Sequence, residues 1–398
     1  MSSLLSLTID NYRSFYSPQT LTFGERDMRA VTGIYGPNAG GKSNIAKALE
    51  LIRFCLYNSA DANWKLPYEP FLLRESAARQ PSRFAVRFEQ DGRIFQYALA
   101  FDDAHIVFEE LKEKSEHTDK MKTVFRREAN KEMSPSSDKF GFGKRLLAKT
   151  RDETLLVTKG REDNNSYANV VFDFFYNVAV DLDDLTDRGA LFVELLKDNE
   201  SLREKTLELL RKCDFAIRDI KIESVPLPEE LLASLPIPDE VKRGMELKGG
   251  TSFKTVHAIR DDEKSIIGMR ELDFWNQESA GTQRFFKTVV PIIAALEQGG
   301  IIYLDEFGTS MHPKLIETLV GLFLDEKSEN GAHLIFNSHD TSIMRTSLGR
   351  DNIILVEKNS REESVVTPLA KRGVREGEAI EKRYREGLYG GIPLVREG

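Results

Sequence analysis

The stretch Gly36-Pro37-Asn38-Ala39-Gly40-Gly41-Lys42-Ser43 constrains the fold more tightly than any other in the chain. It follows the apolar run Ala30-Val31-Thr32-Gly33-Ile34-Tyr35 and precedes a helical pattern that begins near Asn44. Glycines let backbone N–H groups converge on the β- and γ-phosphates of a nucleoside triphosphate. Lys42 adds a point charge there, and the Ser43 hydroxyl can ligate Mg²⁺ at the helix N-terminus. Strand, loop and helix in this order imply an α/β fold that binds phosphate at a strand end.

A chain of 398 residues can bury a large core and form about two or three domains. Its net charge of −8 and pI near 5.5 argue against a surface that grips nucleic acid everywhere. No apolar run approaches the roughly 20 residues that span a bilayer. Met1-Ser2-Ser3-Leu4 lacks the basic start and apolar core of a secretory signal, so a cytoplasmic protein with no membrane partner is expected. Cys55 and Cys213 each sit in an apolar, helix-like pattern without metal-ligand spacing, which favours buried thiols.

Leu5 to Asp10 and Gln19 to Phe23 alternate apolar and polar residues and read as strands leading into the loop. Between them, Asn11-Tyr12-Arg13-Ser14-Phe15 sets Arg13 among aromatics; a surface turn and a contact to nucleotide both remain open. Ile45, Leu49, Ile52 and Leu56 recur at helical spacing after the loop. Arg83–Gln90 and Arg93–Leu99 flank Asp91-Gly92, a strong hairpin signal that predicts an antiparallel layer. From Lys112 to Arg151 basic residues outnumber acids, which suits a solvated insertion better than a nucleic-acid surface; Met133 to Asp138 reads as a loop within it. Ala190 to Cys213 and Glu229 to Leu247, the latter beyond Pro226 and Pro228, carry helix patterns too short for a long coiled-coil arm.

Farther on, Ile301-Ile302-Tyr303-Leu304-Asp305-Glu306 is an apolar run that ends in two carboxylates, as a buried parallel strand would deliver them to a sheet edge. Asp305 can hold Mg²⁺ through water, and Glu306 can polarise an attacking water. Upstream, Glu278-Ser279-Ala280-Gly281-Thr282-Gln283 opens another helix pattern, where Ser279 and Gly281 form a second anion site. Downstream, Ala332 to Phe336 reads as a strand with His339 just beyond it, in reach of a γ-phosphate. His312 and His333 take structural readings.

Loop, Ser-Ala-Gly-Thr-Gln, Asp305-Glu306, Phe307 to Pro313 and Ser338-His339 together follow the order seen in ABC-type ATPase heads. With Asn11 to Phe15, Glu381-Lys382-Arg383-Tyr384 and Tyr389-Gly390-Gly391-Ile392-Pro393, the chain more narrowly resembles the OLD-like, RloA-type AAA ATP-binding proteins of bacteria. The resemblance implies an ABC-type P-loop head with a mixed sheet, an antiparallel β layer and an inserted helical subdomain. Its expected boundaries are 1–165 for the first part of the head, 166–250 for the insertion and 251–398 for the rest. It also implies ATP and Mg²⁺ as cofactors and a head-to-head homodimer, extendable to higher oligomers, in which ATP on Lys42 meets Ser279 and Gly281 of the other copy.

Carried over by position, Gly36 to Asn44 hold the nucleotide, Arg13 touches it, Asp305 and Ser43 hold the metal, Glu306 is the base and His339 the switch histidine. The chain departs from the pattern twice. The signature keeps a serine and only one glycine, and the metal-shell glutamine has no clear counterpart, Glu162 being the best-aligned substitute. Relatives of this kind resemble the ATPase halves of anti-phage systems, acting beside a separate effector, often a nuclease, and the segment after His339 is too short for the acidic nuclease domain that OLD proteins carry. The expected role is an ATP-gated sensor or scaffold for such an effector. A RecF-like repair ATPase on duplex DNA and a scaffold with incidental hydrolysis are the alternatives.

Overall fold

The computed structural model describes residues 2–23, 30–129, 132–133, 138–181, 193, 195–197, 199–226, 250–309, 311–325, 331–346, 348–375 and 377–392. Three strands open the chain, β1 (Ser2–Asp10), β2 (Gln19–Thr22) and β3 (Val31–Tyr35), as the alternating and apolar runs require. Every residue of β3 is buried, which suits a strand covered on both faces. After the loop comes α1 (Lys42–Asn58), whose Ile45, Leu49, Ile52 and Leu56 are buried. The helical stripe is therefore core, and its N-terminus is left at the loop.

The hairpin signal yields β4 (Ser82–Gln90) and β5 (Arg93–Phe101), joined at the Gln90–Arg93 pair. Asp91 (φ 52°) and Gly92 (φ 76°) supply the two left-handed residues that a tight hairpin turn with right-twisted strands demands. β6 (Ile106–Lys114), β7 (Met121–Glu128) and β8 (Glu132–Met133) extend this into a seven-stranded antiparallel sheet, ordered β2-β1-β4-β5-β6-β7-β8. Phe84, Val86 and Phe88 of β4, with Phe95, Tyr97 and Leu99 of β5, turn one face onto the same core as the α1 stripe.

Three helices follow, α2 (Lys144–Ala148), α3 (Leu156–Glu162) and α4 (Ser166–Tyr176), and then β9 (Val178–Asp181). Next in the chain are α5 (Glu200–Lys212), β10 (Ile217–Val225), β11 (Gly250–Arg260), β12 (Ile266–Asp273), α6 (Phe274–Gln277) and α7 (Ala280–Gln298). The remainder alternates: β13 (Ile301–Leu304), α8 (Pro313–Asp325), β14 (His333–Asn337), α9 (Ile343–Thr346), β15 (Ile353–Lys358), β16 (Ser364–Pro368) and α10 (Ile380–Arg385). A six-stranded sheet collects these strands in the order β16-β15-β3-β14-β13-β9, all parallel except β16. The mixed sheet and antiparallel layer expected from the sequence are both present.

Contacts divide the chain into Met1–Asp184 with Ala295–Gly398, and Leu185–Ala294. The first unit contains both large sheets. In the second, β10, β11 and β12 form an antiparallel sheet, and Phe253 of β11 packs on Phe274 and Phe286. This differs from a helical insertion over 166–250: α4 packs its Phe172, Phe174 and Phe175 into the core of the first unit, and the second unit carries a sheet. Cross-strand charges, Lys221 and Lys254 on Glu271, hold strands whose exposed alternation is weakly apolar and hard to read. The helix expected over 229–247, and the first part of the one expected over 190–213, lie outside the described residues.

Candidate functional site: a phosphate loop facing two carboxylates

β3 places the loop Gly36 to Ser43 against β15. A side chain at Gly36 would overlap the Val356 carbonyl oxygen, and one at Gly41 (φ 109°) would collide with the Ser364 and Ser14 hydroxyls. Glycine is thus required at both, because the loop lies flat on its neighbours. Ser364 Oγ stands 2.7 Å from the Gly40 carbonyl, and Asn44 Nδ2 donates to Ser14 Oγ at 2.8 Å. Lys42 Nζ donates to the carbonyls of Gly36 and Pro37, both at 2.9 Å, so the ammonium is folded over the cradle that phosphate would enter. Burial lowers its pKa to about 8, against the pull of Asp305 and Glu306.

The second half of the site arrives on β13. Its parallel pairing with β14, Leu304 opposite Phe336, brings Asp305 and Glu306 beside Asn337. Ser43 Oγ donates to Asp305 Oδ1 at 3.1 Å, and Asn337 Nδ2 donates to the same oxygen. Asn337 Oδ1 accepts from Glu306 N at 2.6 Å, while its carbonyl accepts from Phe307 N at 2.9 Å. The amide of Asn337, 1 % exposed, therefore sets both carboxylate residues. It holds Glu306 in a left-handed conformation (φ 50°) that costs a non-glycine residue about 1–2 kcal/mol. The Glu306 side chain is exposed as a result.

Ser43 Oγ and Asp305 Oδ1 are hard oxygen donors at a spacing that fits Mg²⁺. Adjacent ligands of an octahedral ion with bonds of about 2.1 Å stand about 3 Å apart. These two residues would hold the metal, with phosphate oxygens and water completing its shell.

His339 follows β14. Ser338 ties this segment down, with Ser338 N bonded to the Ile34 carbonyl (3.3 Å) and Ser338 Oγ donating to the Phe307 carbonyl (2.7 Å). Partial burial and the Lys42 charge lower the pKa of His339, opposed by Glu306 and Asp305. The imidazole thus stands within the field of the loop lysine and both carboxylates, and is biased to its neutral form.

Two expected site residues have ion-pair partners of their own. Arg13 (φ 48°) gives its guanidinium to the Glu69 carboxylate through bonds of 2.6 and 2.9 Å. Its neighbour Ser14 reaches the start of α1 instead. Glu162 lies at the end of α3, paired with Lys159 at 2.5 Å. α3 is fastened to the far end of α1, where Thr158 Oγ1 donates to the Leu56 carbonyl and Arg161 covers Tyr57. At 1.5 Å per residue that end is roughly 20 Å from Ser43, too far for a shared metal. Asn337 was readable in the sequence only as the polar residue that follows an apolar strand.

In the second unit, Ser279 and Gly281 lie exposed at the start of α7. Ser279 Oγ accepts from Thr282 N at 3.0 Å and caps the helix. His333 bonds the buried Thr32 (3.1 Å), and His312 Nδ1 accepts from Lys314 N (3.2 Å), so both have structural roles. Cys55 is buried and Cys213 partly so, and both are free. Among the described residues no helix is long and apolar enough to cross a membrane.

Residues 31–345 match a family model described as "AAA domain, putative AbiEii toxin, Type IV TA system". No curated protein matches the chain. Among solved structures, the SMC head domain from Thermotoga maritima is 13 % identical, with a TM-score of 0.43, over 92 % of this chain and 98 % of that one. An Smc head bound to the C-terminal domain of ScpA from Pyrococcus furiosus is 11 % identical, with a TM-score of 0.44, over 97 % and 98 %. A second, bound to the C-winged helix domain of ScpA, is 11 % identical with a TM-score of 0.47, over 92 % and 97 %.

Proposed function

Since the chain belongs to this AAA-domain family, we propose that it is an ATP-binding and hydrolysing head whose site is completed by a second copy, and that its nucleotide state controls a separate effector in anti-phage defence. The observation that carries the ATPase reading is the continuous chain of bonds from Ser43 through Asp305 and Asn337 to Glu306, beside Lys42. Phosphate-binding backbone, metal oxygens and an exposed carboxylate meet at one sheet edge.

In this reading Lys42 leaves its two carbonyls for the β- and γ-phosphates, and Mg²⁺, when bound, neutralises the charge that develops there. Glu306, directed outward by its left-handed backbone, takes the proton of the attacking water. Neutral His339 donates toward the γ-phosphate. Ser279 and Gly281 of the partner copy offer a helix N-terminus to the same phosphate. The family description, a putative toxin of a type IV TA system, supports a setting with a second protein, and the short insertion supports control by contact with an effector.

The repair reading is weaker, because several of the basic residues that suggested it are already engaged. Lys112 pairs with Glu110, Lys114 with Asp119 and Arg126 with Glu128, while Arg127 and Arg151 bond backbone carbonyls. Salt-dependent binding of duplex DNA stimulated by ATP would restore it.

Glu306→Gln is expected to bind ATP, hydrolyse it about 10²- to 10⁴-fold more slowly and accumulate as an ATP-bound assembly in light scattering. Normal turnover in that variant removes Glu306 as the base.

A further inference from the structure

The second unit holds a polar cluster for which the fold alone has little need. Glu278 is turned inward, its carboxylate only 8 % exposed, and one of its oxygens accepts from two residues of β11. His257 Nε2 is 2.6 Å from Glu278 Oε1, and the Thr255 hydroxyl donates to the same atom. Thr255 and His257 are two apart on a strand and so share a face. Five residues beyond Glu278, the Gln283 amide also points inward. Its Nε2 lies 3.0 Å from the carbonyls of Phe274 and Trp275 and 3.2 Å from that of Glu278.

Residue 278 is therefore gripped twice, by its carboxylate from β11 and by its carbonyl from Gln283. The residues between the two anchors behave oppositely. Ser279, Ala280 and Gly281 are exposed, and Ser279 Oγ is held in its capping bond to Thr282 N. Burying a carboxylate carries a desolvation cost that an apolar pair of similar volume would avoid. What hydrogen-bonded anchors add is a fixed direction for the backbone between them.

We propose that Glu278, His257 and Gln283 are positioning residues that aim the Ser279–Gly281 backbone at the phosphate held by another copy's Lys42. None of the three touches nucleotide; they act through the start of α7. The proposal rests on the shared-site reading above.

The test uses the full chain, with ATP affinity under non-hydrolysing conditions as the readout of the Lys42 half and kcat as the readout of the assembled site. His257→Phe removes the donor to Glu278 while filling the space. His257→Gln returns an amide nitrogen close to the Nε2 position. Expected are a 10- to 100-fold lower kcat in His257→Phe with ATP affinity within about twofold, and recovery of most of the rate in His257→Gln. Gln283→Leu perturbs the second anchor independently and should give the same split. Ser279→Arg, which blocks the exposed turn directly, should be inactive. Wild-type kcat in His257→Phe or Gln283→Leu beside an inactive Ser279→Arg overturns the positioning role alone. Wild-type kcat in Ser279→Arg overturns the shared site itself.

Discussion

The first unit contains two charged clusters built from the same parts and left in opposite states. One joins β6, β7 and α3. Glu109 accepts from Leu156 N (2.6 Å), Val157 N (2.9 Å) and the Tyr97 hydroxyl (3.0 Å). Arg127, 3.7 Å from Glu109, donates to the carbonyls of Thr154, Arg151 and Asp152. Both side chains are at most 2 % exposed. The other is the Lys42, Asp305 and Glu306 site, where the ammonium rests on its own loop and the Glu306 carboxylate faces solvent. The difference teaches where chemistry can occur. A charge whose hydrogen-bonding capacity is filled by protein fixes the fold, whereas one held in place with capacity to spare can accept a ligand.

Substitution at the sealed cluster should cost the most stability. Glu109→Ala leaves Arg127 without its charge partner and two helix-start N–H groups unsatisfied, and is expected to lower unfolding free energy by about 3–5 kcal/mol. Denaturant titration measures this, and a loss under 1 kcal/mol would place Glu109 among ordinary polar contacts. Burial raises the Glu109 pKa. A carboxyl raised on folding favours the folded state most fully below its unfolded pKa, and that contribution is lost as pH rises through the folded value. This term alone therefore weakens the fold toward neutral pH.

At the open cluster, Asn337→Leu should chiefly change rate. Without the amide, Glu306 loses the bond that secures its left-handed backbone and Asp305 loses a donor, so kcat is expected to fall about 10- to 100-fold. A change in ATP affinity alone, read from the KM-against-kcat split, would mean that Asn337 serves binding instead.

The smallest effect is a protonic one. With its pKa near 8, Lys42 is about half protonated at pH 8, and contact with phosphate should complete the protonation. MgATP binding at pH 8 is then accompanied by uptake of about half a proton, seen by calorimetry in buffers of different ionisation enthalpy, and by almost none from this group at pH 6.5. In the ligand-free chain the depressed pKa lowers stability below pH 8 and ceases to do so as pH rises toward 10.5. Equal uptake at both pH values would remove Lys42 as the titrating group.

Much of the open cluster was legible because its residues carry their chemistry locally. The loop glycines, Lys42 and Ser43 are contiguous, and Asp305 and Glu306 end an apolar run whose only stable place is a buried strand. What escaped reading was partnership across distance. Nothing near Arg13 announces that Glu69 will claim its guanidinium, nor that Glu162 will sit at the wrong end of α1. Asn337 was only a polar residue after an apolar run until the β13–β14 register set it beside Asp305. The sheet of the second unit was missed for a similar reason: cross-strand charge pairs reinforce it, and their members are 17 and 50 residues apart.

The close approach of Gly36 to the Val356 carbonyl has a consequence for the order in which the molecule is made. The hairpins of the antiparallel layer pair neighbours and can form as they leave the ribosome. The loop cannot settle so early, because β3 is flanked by β14 and β15, and its glycines rest on Val356 and Ser364. The loop waits for residues made long after it, Ser364 lying 324 positions beyond Gly40. A growing chain therefore displays the loop sequence long before it owns a nucleotide site, and competence for ATP waits on β14, β15 and β16.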